Sequence, residues 1–320
     1  MKKIYKNIIP AAIAAIVLMG CKEEYTPDYP SPQPTSEIGK AIVENTSLIA
    51  SLSEDKTWTV RPGLEATRLR YLAYNGKPIM MFFYEIDLNT KDLTISQTVP
   101  FDKPIGSGAE PVSKQALHVD APGFKIWGGT NSDFGSESNS RPQGIFHHEG
   151  ECLKDTFNKL PARPRSFFWL SKEKTAHTAP ASEYKSVAES GVILEACGGG
   201  PVLVADGKTI NIPDPNDLSV EPRTCIGVSQ DGKKVYVMVV DGRRYTYSTG
   251  MSFHDMSELM HAIGCWSAIN LDGGGSSTFF IRENDDFEDP DRFRVLNWPT
   301  DNGGEERPVY CGLVFVETNK

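Results

Sequence analysis

The sequence predicts a mainly antiparallel β-sheet core with a few helices, and three observations predict it. Residues 58–60, 69–74, 78–87 and 93–99 alternate or run apolar between turn signals such as Asn75-Gly76 and Asn89-Thr90, the signature of consecutive antiparallel strands. The pattern returns at 165–170, 192–197, 201–206, 225–229 and 234–240, with Asp231-Gly232 as the turn of the last pair. Helical spacing is confined to three short stretches, and a hydrophobic fraction of 39% over 320 residues supports a substantial core.

At the start of the chain, Lys2, Lys3 and Lys6 precede an apolar run over 8–19 and then Gly20-Cys21. That run is short for a membrane span and reads as a secretory signal. Leu18-Met19-Gly20-Cys21 resembles the lipobox of bacterial lipoproteins, so residues 1–20 are expected to be removed and Cys21 to carry lipid. Lys22-Glu23-Glu24 resembles the acidic tag of some outer-membrane lipoproteins. The expected address is therefore the bacterial outer membrane, on its periplasmic or cell-surface face. Residues 21–36, rich in proline and polar side chains, read as an extended tether. One domain is expected over 37–320, with an N-terminal helix and strands to residue 100 and a site-bearing core over 101–320.

Removing residues 1–20 takes away three lysines and no acid, so the formal charge of −9 becomes −12. A chain this acidic is poorly suited to nucleic acid or to a broad anionic surface. Any phosphate it binds must be held by a local cluster of donors. Cys152, Cys197, Cys225, Cys265 and Cys311 include no CxxC pair, which argues against a thiolate zinc site. Their odd number leaves at least one free.

Within the domain, Ile38, Ile42, Val43 and Ile49 space a helix over 37–51, and a second small helix is expected around 115–121. Residues 125–134 read as a short strand that ends in Gly128-Gly129 and delivers Asn131 and Asp133. The adjacent His147 and His148 would point to opposite faces of a strand, which argues against a metal site there. Asp241 before Gly242 reads as a type I′ turn residue. The third helix, 251–263, has Ser252 as N-cap and Gly264 as its closing glycine. A polar tail over 287–306 precedes a final strand at 309–316.

That third helix leads into the most distinctive stretch: a strand at Trp266-Ser267-Ala268-Ile269, then Asn270-Leu271-Asp272-Gly273-Gly274-Gly275-Ser276-Ser277-Thr278, then Phe279-Phe280-Ile281. A wide hairpin turn would account for it with fewer glycines. Three in succession let the backbone approach a ligand and reach φ > 0, so the amides of Gly273, Gly274 and Gly275 can form an anion-binding concavity. Ser276, Ser277 and Thr278 add hydroxyls, and Asp272 adds a carboxylate.

Together with residues 227–229, Asp241-Gly242-Arg243 and Glu306-Arg307, this stretch resembles the phosphodiester glycosidase domain over about residues 61–316. Gly129, Asn131, Asp133 and Phe134 match the family's glycine-rich first loop, with altered spacing: Thr130 precedes Asn131, and Gly135 stands where a second aromatic is usual. Gly199-Gly200-Pro201 with Asp206-Gly207-Lys208 match the second loop, Arg223-Thr224 a characteristic pair, and Asn297, Pro299, Glu306 and Arg307 the closing loop. The resemblance implies an α+β hydrolase, secreted or surface-held, that cleaves the sugar from a sugar-1-phosphodiester.

Those residues suit such a reaction. Arg223, Arg307, Thr224, Ser276, Ser277 and the three glycine amides are candidate phosphate ligands. Asn131 and Asn297 are candidate hydrogen-bonding tips for the sugar, with Trp127 or Trp298 as an aromatic platform. Glycosidic cleavage passes through an oxocarbenium-like state that a carboxylate stabilises; Asp272 is the first candidate, with Asp133 and Glu306 beside it. A phosphodiester leaves as a stable anion, so cations matter more than a general acid. No metal or cofactor is expected, although these three acids would suit a divalent cation if they gathered around one. The expected partners are a glycan or sugar-1-phosphodiester and, through Cys21, a membrane. The alternatives are a phosphodiesterase acting on surface or capsular polymers and a non-catalytic glycan-binding lipoprotein; binding alone would not need this set of acids.

Overall fold

Two runs that are apolar at every position, 79–84 and 235–240, lie side by side in the middle of the largest sheet. Successive strand side chains point to opposite faces, so such runs need a covered sheet. One face carries Met81, Phe83, Met238 and Val240, which pack against Ile38, Ile42, Met256 and Leu259 of two helices, Glu37–Asn45 and Phe253–Ala262. The other face carries Phe82, Tyr84, Val237 and Val239, which pack against Phe168, Leu170, Phe279 and Phe315 of two further sheets. Helix Val112–Val119 covers the outside of one of these and helix Tyr184–Glu189 the outside of the other. The layers are thus helix, sheet, paired sheets, helix, as expected for an α+β chain built on antiparallel strands.

The computed structural model describes residues 29–158, 164–210, 219–301 and 303–319. Cys21 and the leader lie outside the described residues, and Ser31–Lys320 forms a compact unit. Among the described residues no helix is long and apolar enough to cross a membrane.

In order, the large sheet contains Ser51–Arg61, Leu64–Leu72, Pro78–Asp87, Lys234–Val240, Arg223–Val228, Ser267–Asn270, Val202–Ala205 and Lys208–Thr209. A second sheet orders Ala176–Pro180, Ser166–Ser171, Ile193–Gly199, Phe146–His148 and Glu151–Lys154. The third orders Phe293–Val295, Phe279–Arg282, Phe124–Asn131, Gly312–Thr318 and Leu93–Thr98. Neighbouring strands in all three are antiparallel.

One alternative falls away and three local expectations need correction. The glycine stretch does not close a hairpin: Ser267–Asn270 belongs to the large sheet and Phe279–Arg282 to the third, so residues 271–278 cross between layers. Gly128 and Gly129 do not end a strand but lie within one, because a Cβ at 128 would strike the Tyr84 hydroxyl and one at 129 the Leu313 carbonyl. Tyr84 needs that space to donate to the Phe280 carbonyl at 2.5 Å. The first helix ends at Asn45, and Ser51–Arg61 is a long edge strand. Asp241 is not a turn residue: it is buried, accepts from Asn297 Nδ2, the Trp298 amide and the Tyr247 hydroxyl, and so anchors the closing loop.

The N-cap of the Phe253–Ala262 helix is Ser252, whose hydroxyl accepts from the Asp255 amide, and Gly264 follows the helix at φ +93°. His147 and His148 do part: the first meets the Tyr184 hydroxyl at 2.8 Å, the second Glu195 at 3.1 Å. All five cysteines beyond Cys21 are free.

Candidate active site

The site forms where strand ends from two sheets meet. Ser267–Asn270 ends just before Asp272, Phe124–Asn131 ends just before Asp133, and Arg223–Val228 begins there. Asp272 is fixed by its main chain: its amide donates to the Ser132 carbonyl at 3.0 Å and its carbonyl accepts from Asn131 Nδ2 at 2.6 Å. Its side chain accepts from the Gly273 amide at 2.9 Å and from Ser276. Burial pushes the Asp272 carboxyl up to about 6, Asp133 nearby adds to the rise, and Ser276, Gly273 and Arg307 oppose it.

Two adjoining clefts of about 430 Å³ each open over this residue. Asp272, Phe134 and Arg307 line both. The first is walled by Arg223, Arg243, Glu221 and Gly273 to Gly275, the second by Glu137, Gln143, Ser276 and Tyr310. Each contains a buried acceptor with no partner among the described residues: Asn270 Oδ1 in the first and Gln143 Oε1 in the second. Arg307 donates to Ser276 Oγ at 3.4 Å and is paired with Asp301. Asp301 continues to Arg243 at 3.3 Å, and Arg243 to Glu221 at 2.7 Å.

Several expected site residues hold the framework instead. Asn131, 0% exposed, uses its oxygen for the Thr278 amide and the Thr224 hydroxyl and donates from its nitrogen to the Asp272 carbonyl. Asn297 is bonded to the Phe279 amide, Asp241 and the Ser277 carbonyl. Thr224 and Ser277 are buried beside one another at 3.3 Å. Arg223 lines the first cleft but donates to the Met251 and Ser219 carbonyls and stacks 3.9 Å over Phe253. Of the three glycine amides, Gly273 donates to Asp272 and Gly274 to the Pro222 carbonyl. That corrects the picture of a three-amide nest.

The other two expected acids have structural partners of their own. Asp133 also lines the second cleft, but it is buried, accepts from the Gly144 amide and is paired with Arg165 at 2.6 Å, which braces the cleft wall. Glu306 turns away from both clefts: its carboxylate accepts from the Ser113 amide at 3.2 Å and from the Ser113 hydroxyl. It caps the N-terminus of helix Val112–Val119, where orphan amides and the helix dipole favour an anion. Among the described residues no three His, Cys, Asp or Glu side chains gather as a metal site. Trp127 is tied to Glu317 at 3.0 Å, and neither Trp127 nor Trp298 lines either cleft. Phe134 and Tyr310 are the aromatics that do.

The phosphodiester glycosidase family model matches residues 125–316, more than half of the chain. The chain belongs to the phosphodiester glycosidase family. All of the cleft residues named above fall within that match. The chain is 44% identical over 78 residues to the SPbeta prophage-derived uncharacterized protein YomE of Bacillus subtilis strain 168, a stretch that is 23% of this chain and 12% of that protein. In structure it resembles the catalytic domain of zebrafish N-acetylglucosamine-1-phosphodiester α-N-acetylglucosaminidase, auto-inhibited by its pro-peptide, with a TM-score of 0.61 at 16% identity over 84% of this chain and 89% of that one. A hypothetical protein from Synechocystis gives a TM-score of 0.56 at 11% identity over 83% and 64%. At these identities the two likenesses concern the fold alone.

The sequence did not single out Arg243, Glu221, Asp301, Tyr310 or Asn270 as ligands. Asp241-Gly242-Arg243 and the asparagine of the glycine stretch were visible as residues at strand ends, and that position was the available signal. Asp301 and Tyr310 carried none.

Proposed function

We propose that this phosphodiester glycosidase hydrolyses the glycosidic bond of a sugar-1-phosphodiester, such as an α-N-acetylglucosaminyl phosphodiester. The carrying observation is that Asp272 and Arg307 line both clefts at their junction. A diester has two ends flanking one reacting bond, so a carboxylate and a guanidinium at the junction of two pockets match its shape and charge. The second cleft, with Phe134, Tyr310 and the unpartnered Gln143 Oε1, suits a sugar ring and its hydroxyls. The first, with Arg243 and the Gly275 amide, suits the phosphoryl group and aglycone.

In this reading, water adds to the anomeric carbon and the C1–O bond breaks. The electron pair leaves on a phosphomonoester held by Arg307, and the water proton passes to Asp272. A carboxyl raised to about 6 accepts that proton far better than an ordinary aspartate. The lipobox-like residues at Cys21 support a lipid-anchored enzyme at the outer membrane.

A panel of α-linked sugar-1-phosphodiesters, followed by phosphomonoester release in ¹⁸O water, tests the reaction. The label is expected in the free sugar, and Asp272→Asn is expected to abolish release. Label in the phosphate would instead identify a phosphodiesterase.

A further inference from the structure

Asp301 is an acid that the proposed reaction does not use, and it contacts Arg243, Arg307 and Gly275, which line the first cleft. One of its oxygens is paired with Arg307 and the other lies 3.3 Å from Arg243. The Thr300 hydroxyl donates to the same group at 3.2 Å. A Cβ on Gly275 would collide with the Asp301 carboxylate, so the carboxylate rests directly on the glycine floor. It thus holds the set of partners that suits an anionic phosphoryl oxygen: two guanidinium groups and a bare glycine backbone. Its side chain is 24% exposed, which gives it a way out to solvent.

We propose that the Asp301 carboxylate is a built-in stand-in for the substrate's phosphoryl group, displaced when a phosphodiester binds, and that it selects a singly charged diester over a doubly charged monoester. The inference rests on the reading in which Arg243 and Arg307 hold phosphate. Arg243 and Arg307 face Glu221 and Asp301, so this group of side chains is balanced in charge. Moving one carboxylate into water uncovers one positive charge, which a diester monoanion matches. A phosphomonoester above its second pKa of about 6 carries a further negative charge, which the returning Asp301 opposes. Asp301 therefore favours release of the product.

The test uses the full chain and calorimetry at pH 8 with two probes, inorganic phosphate and dimethyl phosphate. Asp301→Asn and Asp301→Ala are expected to bind inorganic phosphate about tenfold more tightly than wild type, because a nearby opposing charge has gone. The gain for dimethyl phosphate is expected to be smaller, about threefold on the same grounds. Adding Arg307→Ala is expected to remove both gains. Unchanged or weaker phosphate binding in both variants, with melting curves showing them folded, would overturn the proposal; equal gains for the two probes would overturn its selectivity. Calorimetry needs no turnover, so a chain that gains phosphate affinity yet hydrolyses no sugar-1-phosphodiester would refute the reaction while keeping the role of Asp301.

Discussion

Asn131 donates its side-chain amide to the Asp272 carbonyl at 2.6 Å while its oxygen accepts from the Thr278 amide at 3.1 Å. One side chain from the third sheet thereby grips both ends of the loop that presents the candidate catalytic acid. Because Asn131 is buried and both its oxygen and its nitrogen are bonded within the fold, its role is to set the position of Asp272.

Asn131→Ala is expected to strand a buried amide and a buried carbonyl, each costing about 1–3 kcal/mol. The melting temperature should fall, and kcat should drop at least about tenfold through misplacement of Asp272, with KM changed less. A variant with native stability and a change in KM alone would return Asn131 to the role of a sugar ligand.

The Asp133–Arg165 pair yields a different expectation. Both side chains are buried and 2.6 Å apart, and removing one partner of such a pair leaves an uncompensated charge at a cost of about 3–5 kcal/mol. Asp133→Asn should therefore unfold at markedly lower denaturant concentration. In a double-mutant cycle, Arg165→Met in the Asp133→Asn background should recover part of the loss. A fully stable but inactive Asp133→Asn would show that the carboxylate works on substrate.

How much of this was legible in sequence differs by layer. Residues 79–84 and 235–240 announced central strands because both faces are covered, and Pro78–Asp87 and Lys234–Val240 run as the spacing expected. Ser51–Arg61 was mostly missed because it is an edge strand with only Arg61 buried, so it has no apolar period to read. At the site, asparagines and acids at strand ends were found as residue types, but which face a ligand depends on partners far along the chain. Glu306 meets Ser113, 193 residues away, and nothing local to either residue records that pairing.

Glu306→Gln is accordingly expected to keep its activity, because the amide oxygen still accepts from Ser113 while the clefts are untouched. Loss of the charge at the N-terminus of helix Val112–Val119 should cost about 0.3–1 kcal/mol, and Glu306→Ala more, near the 0.5–2 kcal/mol of a lost cap. Thermal melting and steady-state kinetics on the two variants separate capping from catalysis: a hundredfold loss of kcat in Glu306→Gln would restore it as a catalytic acid.

Asp272 ties stability and activity to the same proton. Its folded carboxyl is raised to about 6 from the ordinary 3.8, so between those values the folded chain holds a proton that the unfolded chain has released. Above pH 6 the carboxylate is ionised in both states, and the folded state bears its burial, at most about 3 kcal/mol for a shift of this size. That cost disappears as pH falls through 6 towards 4. Asp272→Asn should therefore melt higher than wild type at pH 8 and at the same temperature near pH 4, while catalysing nothing at either. Wild-type kcat should fall below about pH 6 along a single-proton curve, since the protonated acid cannot accept the water proton. If kcat instead fell above pH 6, Asp272 would be acting as a proton donor to the leaving phosphate, and the base would have to be sought elsewhere in the second cleft, with Glu137 the first residue to replace.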